Sequence, residues 1–117
     1  MIILATKRQY AEYANVQMFN YINLYKITQL KNVEGADKTS TEYLAARLIV
    51  SLLDEVELLL KKKLINTTKK NISIKMSDAA GIALYKMLLR LPVAADEWYF
   101  NHVRNAWIEA LDRQIIK

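Results

Sequence analysis

Few side chains in this sequence have the types and spacing that acid–base catalysis requires. His102 is the only histidine, and Asp54 and Glu57 lie three residues apart, a spacing that places two carboxylates on one helix face. Each group also has an ordinary interpretation, because Glu57 precedes Lys61 by four residues and Glu109 follows His102 by seven on the same face. We therefore expect solvated or structural roles for these groups and predict that the protein is not an enzyme.

The sequence also predicts no metal site and no cofactor. It has no Cys and a single His, whereas a transition-metal site without Cys usually needs two or more His or a cage of carboxylates. The Glu-x-x-His motif of di-iron helical bundles does not occur. Ser51 lies in no G-x-S-x-G motif, and the two glycines, Gly35 and Gly81, are too isolated to form a phosphate-binding loop.

A basic segment is the first candidate binding site. No acidic residue occurs between Glu57 and Asp78, and this interval could neutralise phosphates with a salt-dependent affinity. Its lysines are Lys61, Lys62, Lys63, Lys69, Lys70 and Lys75. The first three also end a predicted helix, where cations are stabilised by the helix dipole. Arg, Asn and Gln do not line a recognition helix here, so the alternative function is non-specific nucleic-acid binding.

A set of aromatic and sulfur-containing residues is the second candidate, as a protein interface. Such side chains bury a large area at small entropic cost and are enriched at interfaces. The candidate interface comprises Tyr10, Tyr13, Met18, Tyr21, Tyr25 and Trp98. The tyrosines could equally form the rim of helix packing within one chain. Val50, Leu58 and Ile116 have no evident partner either, and together these residues favour self-association.

The element that must organise these groups is a helix predicted over residues 41–65. At about 100° per residue, one broad face collects Ala45, Leu48, Ile49, Leu52, Leu53, Val56, Leu59, Leu60 and Leu64. Because a face of this width needs more than one neighbouring helix, we predict that it is the centre of a helical bundle.

The preceding helix is predicted over residues 6–31 and carries two apolar stripes. The stripe that includes Val16, Leu24 and Ile27 needs a neighbour from the same chain or from a second copy. A loop follows over residues 32–38, and Thr39 is predicted to cap the next helix in a capping box with Glu42. Residues 6–65 thus predict an antiparallel helical hairpin.

The second half of the chain predicts two shorter helices after a connector. Apolar residues alternate over 71–76, which indicates a short strand; it pairs with residues 1–5, pairs across an interface, or is only extended. A helix over 78–91 follows with Ser77 or Asp78 as cap, and Gly81 within it indicates close approach of another helix. Pro92 ends it, and Asp96 is predicted to cap a last helix that ends near Ile116.

The fold predicted for residues 1–117 is therefore a single all-α domain, an antiparallel four-helix bundle with a short strand in its connector. Two Gly and one Pro are too few for a sandwich or barrel. The absence of Cys, of a secretory signal and of a long apolar run predicts a cytoplasmic protein without membrane contact. A net charge of +5 permits a polyanionic partner. We predict a non-catalytic interaction or structural module that self-associates or joins a larger assembly.

Overall fold

The helices and strands follow the predicted order in a computed structural model that describes residues 1–91 and 97–116. The elements are β1 (Ile2–Lys7), α1 (Arg8–Tyr13), a π-helical segment (Ala14–Met18), α2 (Phe19–Asn32), α3 (Thr41–Asn66), β2 (Asn71–Met76), α4 (Asp78–Arg90) and α5 (Trp98–Ile115). Residues 8–32 form one continuous helix, since α1, the π-helical segment and α2 follow one another without a break in helical backbone angles. The fold is predominantly helical with a small sheet.

The predicted strand over 71–76 is confirmed, and its partner is the N-terminal strand of the same chain. β1 and β2 pair antiparallel, with Ile2 opposite Met76 and Lys7 opposite Asn71. Alternate residues of both strands are buried, as in Ile2, Leu4 and Ile74, because successive side chains of a strand point to opposite faces. This sheet is the feature that an all-α prediction lacks.

The core lies between the sheet and the helices. Its largest fully buried side chains include Met18, Ile22, Leu53, Leu60, Leu84, Met87, Phe100 and Trp107. The indole Nε1 of Trp107 donates to Thr6 Oγ1 at 2.9 Å, and the Gln114 amide donates to the Ile3 carbonyl at 2.6 Å and accepts from its N–H at 2.8 Å. The Gln114 amide thus bonds to the backbone of β1 and covers part of its edge, where an unpaired strand would otherwise invite association.

The central helix α3 is less enclosed than its sequence predicted. Leu53, Val56 and Leu60 are buried as expected, but Ala45 and Leu48 are exposed. One physical reason is the length of α4, which contacts α3 but has 13 residues against 26 in α3. At about 1.5 Å per residue, α4 can cover only about half the length of α3.

Two helix starts test the predicted caps. Ser40, rather than Thr39, caps α3 and accepts from the N–H of Tyr43 at 3.2 Å; Thr39 instead bonds to Asp37. The predicted capping box was therefore wrong by one residue. Ser77 caps α4 as predicted, accepting from Ala80 N–H at 3.1 Å. The predicted cap Asp96 lies outside the described residues.

The prediction that Gly81 receives another helix was also wrong. A Cβ at this position would lie 2.5 Å from Cδ1 of Ile2, a side chain of β1. Gly35 is the glycine with a positive φ, 84°, and it lies in the predicted loop before α3, where a left-handed residue favours glycine. Within the two described ranges, no helix is long and apolar enough to cross a bilayer.

Candidate functional site

An aromatic cluster forms where α1 contacts the start of α5. We define it as Tyr10, Tyr13, Trp98, Tyr99 and His102. The ring of Tyr99 lies at its centre, with centroids 4.7 Å from Tyr13, 5.6 Å from Trp98 and 6.1 Å from Tyr10, each in an edge-to-face arrangement. This is the geometry that aromatic quadrupoles prefer. The cluster therefore fixes the orientation of α5 against α1.

His102 belongs to this cluster and has a neutral hydrogen-bonding partner. Its Nε2 shares a hydrogen bond of 2.7 Å with the hydroxyl of Tyr10, and the two rings lie nearly perpendicular at 5.4 Å. Glu109, which the sequence offered as a partner, instead bonds to Arg113 at 2.6 Å. His102 is thus held by a tyrosine and lies exposed at the surface.

The other members of the predicted interface have different positions. Met18 is fully buried in the core, and Tyr25 is half-buried against it. Tyr21 packs on Phe100 at 5.0 Å and donates to Glu97 at 3.3 Å. The tyrosines therefore pack largely against α5, a neighbour that sequence spacing alone did not reveal.

The surroundings of the cluster change the pKa of one of its phenols, that of Tyr13. Burial raises the pKa of Tyr13 above its ordinary value, and the negative charge of Glu97 raises it further. At neutral pH this side chain is therefore firmly protonated and uncharged. Its role in the cluster is packing.

The predicted basic segment is divided by the fold. Lys61, Lys62, Lys69 and Lys70 are exposed near the end of α3 and the start of β2, whereas Lys75 lies near the other end of β2. Lys63 is half-buried. Lys61 pairs with Glu57 at 3.6 Å. The six lysines are therefore not one cluster.

The described bonds to the carbonyls at the C-terminal end of α3 come from Arg8 rather than from the lysines. Its guanidinium donates to the carbonyl of Leu64 at 2.8 Å and to that of Thr67, while its Nε bonds to Glu12 at 2.7 Å. A cation at this position is stabilised by the partial negative charge of the helix end. Because Arg8 lies more than fifty residues away in sequence, no local pattern could have predicted this contact.

Replacing Arg8 with Leu is expected to lower the free energy of unfolding by about 1 kcal/mol, since it removes charge-assisted bonds to helix-terminal carbonyls. Urea denaturation measures the loss. Lys62→Leu is the matched control, because Lys62 is exposed at the same helix end and an exposed substitution changes stability by less than about 0.5 kcal/mol. Equal losses in the two variants would show that Arg8 has no special role.

Both carboxylates of the predicted acid–base pair bond to lysines. Asp54 accepts a hydrogen bond of 2.5 Å from Lys26, whose side chain is nearly buried and joins α2 to α3. Glu57 pairs with Lys61. In residues 1–91 and 97–116, no three or more His, Asp or Glu side chains come together as a metal site would require.

The outer face of the first helix, by which we mean the continuous helix over residues 8–32, is a second surface feature. We define it as Val16, Asn20, Asn23, Leu24 and Ile27, all of which are exposed. Val16 is 63%, Leu24 61% and Ile27 51% exposed, so the apolar stripe that the sequence placed here has no covering neighbour in the described chain. Residues 13–30 include a single charged side chain, the buried lysine paired to α3. This face is therefore uncharged, with apolar side chains interspersed with amides.

Comparisons with protein families, with curated proteins and with solved structures found no match. The function must therefore be argued from the two surface features themselves.

Proposed function

We propose that this chain is a non-catalytic interaction module that associates with a second copy of itself through the outer face of its first helix. The observation that carries the proposal is the exposure of Val16, Leu24 and Ile27 on a face without charge. Depletion of charged residues distinguishes the centre of a protein interface from the rest of a surface. One residue in four of this chain is charged, so an uncharged face that spans several helical turns differs from the average composition of the chain.

The occupant that we propose for this face is a second copy of the chain. Two chains that each carry a net charge of +5 repel one another, and contact through an uncharged face places the fewest cations together. The exposed amides of Gln17, Asn20 and Asn23 carry both donors and acceptors. Such a face can pair with its own copy about a two-fold axis, where each residue contacts an equivalent set.

The scaffold that we infer for this face is an antiparallel four-helix bundle, with residues 6–65 as its long hairpin. Support comes from the pairing of Lys26 with Asp54 at 2.5 Å, which ties α2 to α3, and from the contacts of α3 with α4 and of α4 with α5. A rigid scaffold lowers the entropic cost of association. The chain has no Cys, which is common in cytoplasmic proteins. There it could also be incorporated into a larger assembly.

The test introduces charge into the face. Leu24→Glu with Ile27→Glu is expected to weaken self-association by about 100-fold or more, because each substitution occurs twice in a two-fold interface and buries an unpaired carboxylate. Sedimentation equilibrium over a range of concentrations measures the dissociation constant.

Ile65→Glu is the matched control, since Ile65 is 82% exposed at the end of α3 and lies outside the proposed interface. A native chain that stays monomeric at high micromolar concentration would overturn the proposal. So would a dissociation constant that the control and the double variant change equally.

A second candidate function is non-specific binding of nucleic acid by the basic residues. The observation that favours it is that the fold adds Lys7 to the exposed pair Lys69 and Lys70. These cations lie on the side of the molecule formed by the end of β1 and the start of β2, so self-association through the first helix does not require them.

A further inference from the structure

A strip of cations and aromatic rings runs from the sheet to the start of α5. We define it as Lys7, Lys69, Lys70, Tyr10, His102 and Trp98. At its basic end, Lys7 lies opposite Asn71, and the N–H of Arg8 donates to the carbonyl of Lys70 at 2.7 Å. The pairing of β1 with β2 thus brings together lysines that are more than sixty residues apart in sequence. Both Lys7 and Lys70 are exposed.

The strip continues from cations to rings without a gap. The Nζ atom of Lys7 lies 5.4 Å from the ring centroid of Tyr10, within the range of a cation–π contact. Tyr10 is bonded to His102, and the His102 ring lies 6.3 Å from that of Trp98. Trp98 forms the far end and is 74% exposed.

The lysines at the basic end of the strip have no carboxylate partner among the described ion pairs. None of the ion pairs described in the structure involves Lys7, Lys69 or Lys70. Glu12, the nearest carboxylate along the chain to Lys7, is engaged by Arg8. Glu97, which precedes Trp98, accepts from Tyr21, and Glu109 on α5 is engaged by Arg113. The strip therefore offers cations available to an anion at one end and exposed aromatic surface at the other.

We propose that this strip binds single-stranded nucleic acid. Phosphates would lie on Lys7, Lys69 and Lys70, and unstacked bases would stack on Trp98 and His102. Proteins that bind single strands without sequence preference combine these two elements, a positively charged track and aromatic platforms. A duplex keeps its bases stacked on one another, so it can use the lysines but not the rings. The inference rests on the second candidate function and specifies its ligand.

An acidic polypeptide is the competing occupant, and the aromatic end decides against it. Carboxylates would use the lysines, but they offer no flat π-face to exposed rings. Each base stacked on an aromatic side chain strengthens binding measurably and tolerates any sequence. The combination of exposed Trp98 with unpaired lysines therefore favours a nucleic acid strand.

The experiment measures binding of the full chain to fluorescein-labelled oligo(dT), oligo(rU) and a DNA duplex of equal length by anisotropy, from 50 to 200 mM salt. We expect both single strands to bind more tightly than the duplex. Trp98→Ala should weaken single-strand binding by about tenfold and leave duplex binding unchanged, while Trp98→Phe should retain most of it. Combined Lys7→Gln, Lys69→Gln and Lys70→Gln should lower the single-strand salt slope by about 2.

Lys75→Gln is the matched control, because Lys75 is an exposed lysine near the other end of β2, and it should change neither the affinity nor the slope. Equal binding of single strand and duplex, unaffected by Trp98→Ala, would overturn this inference and leave the second candidate function standing. Binding of poly-glutamate in place of both nucleic acids would overturn both in favour of an acidic protein partner. Absence of binding to any of these probes at 50 mM salt would likewise overturn both.

Discussion

Replacing Trp107 with Ala is expected to lower the free energy of unfolding by about 3–5 kcal/mol. Trp107 is the largest of the fully buried side chains and is 1% exposed, on the face of α5 that packs against β1. Its removal leaves a large cavity and deprives Thr6 Oγ1 of the indole donor at 2.9 Å. Urea denaturation followed by circular dichroism measures the loss, since tryptophan fluorescence would change with the substitution itself.

Trp98→Ala provides the matched control for this prediction. It removes the same side chain from the same helix, but from a position that is 74% exposed, so we expect a smaller loss of about 0.5–1.5 kcal/mol from its edge-to-face contact with Tyr99. Thr6→Val tests the hydrogen bond separately and should cost about 1–3 kcal/mol, because the buried indole N–H loses its acceptor. If Trp107→Ala lowered the free energy of unfolding no more than Trp98→Ala does, Trp107 would not be packed between α5 and the sheet.

Local sequence signals predicted the helices and the second strand well. The alternation over 71–76, the glycine at position 35 and the serine before Asp78 each specify backbone conformation within a few residues. The inward face of α5 followed from its apolar period, and Phe100, Val103, Trp107 and Leu111 are buried. Such features need no knowledge of what the element packs against.

Contacts between distant segments could not be predicted in this way. The bond between Tyr10 and His102 joins residues 92 apart, and Arg8 meets Leu64 across 56 residues. Neither leaves a periodic pattern in the sequence. The same limit explains why Lys7 escaped the basic segment, which was defined by adjacency along the chain. The apolar period of α3 also predicted a buried Leu48, which is 59% exposed in the fold.

The sequence identified several residues of the candidate site, but only the fold shows that they lie together. Sequence reasoning singled out Tyr10, Trp98 and His102, but for separate reasons, as interface residues and as a lone histidine. The fold places them in one cluster beside a lysine. An exposed aromatic ring alone does not indicate a function. A ring beside exposed cations supports the proposal of a binding surface.

Gly81→Val is expected to destabilise the protein by about 1–3 kcal/mol, the cost of forcing added atoms into a packed core. A Cβ at position 81 would lie 2.5 Å from Cδ1 and 2.9 Å from both Cβ and Cγ2 of Ile2. Two of these atoms belong to the base of the Ile2 side chain, which β1 holds through its pairing with β2. The side chain therefore cannot simply rotate away, and either the strand or α4 must move.

A double-variant cycle identifies the contact responsible. In an Ile2→Ala background, the Cγ2 and Cδ1 atoms are absent, and of the three short contacts only the one with Cβ at 2.9 Å remains. Gly81→Ala should then cost less than in the native background, because two of the three clashes are gone and Ala exceeds Gly in helix propensity by about 1 kcal/mol. Thermal and urea unfolding of the four proteins measure the coupling. An equal effect of Gly81→Ala in both backgrounds would show that β1 does not pack on α4 through Ile2.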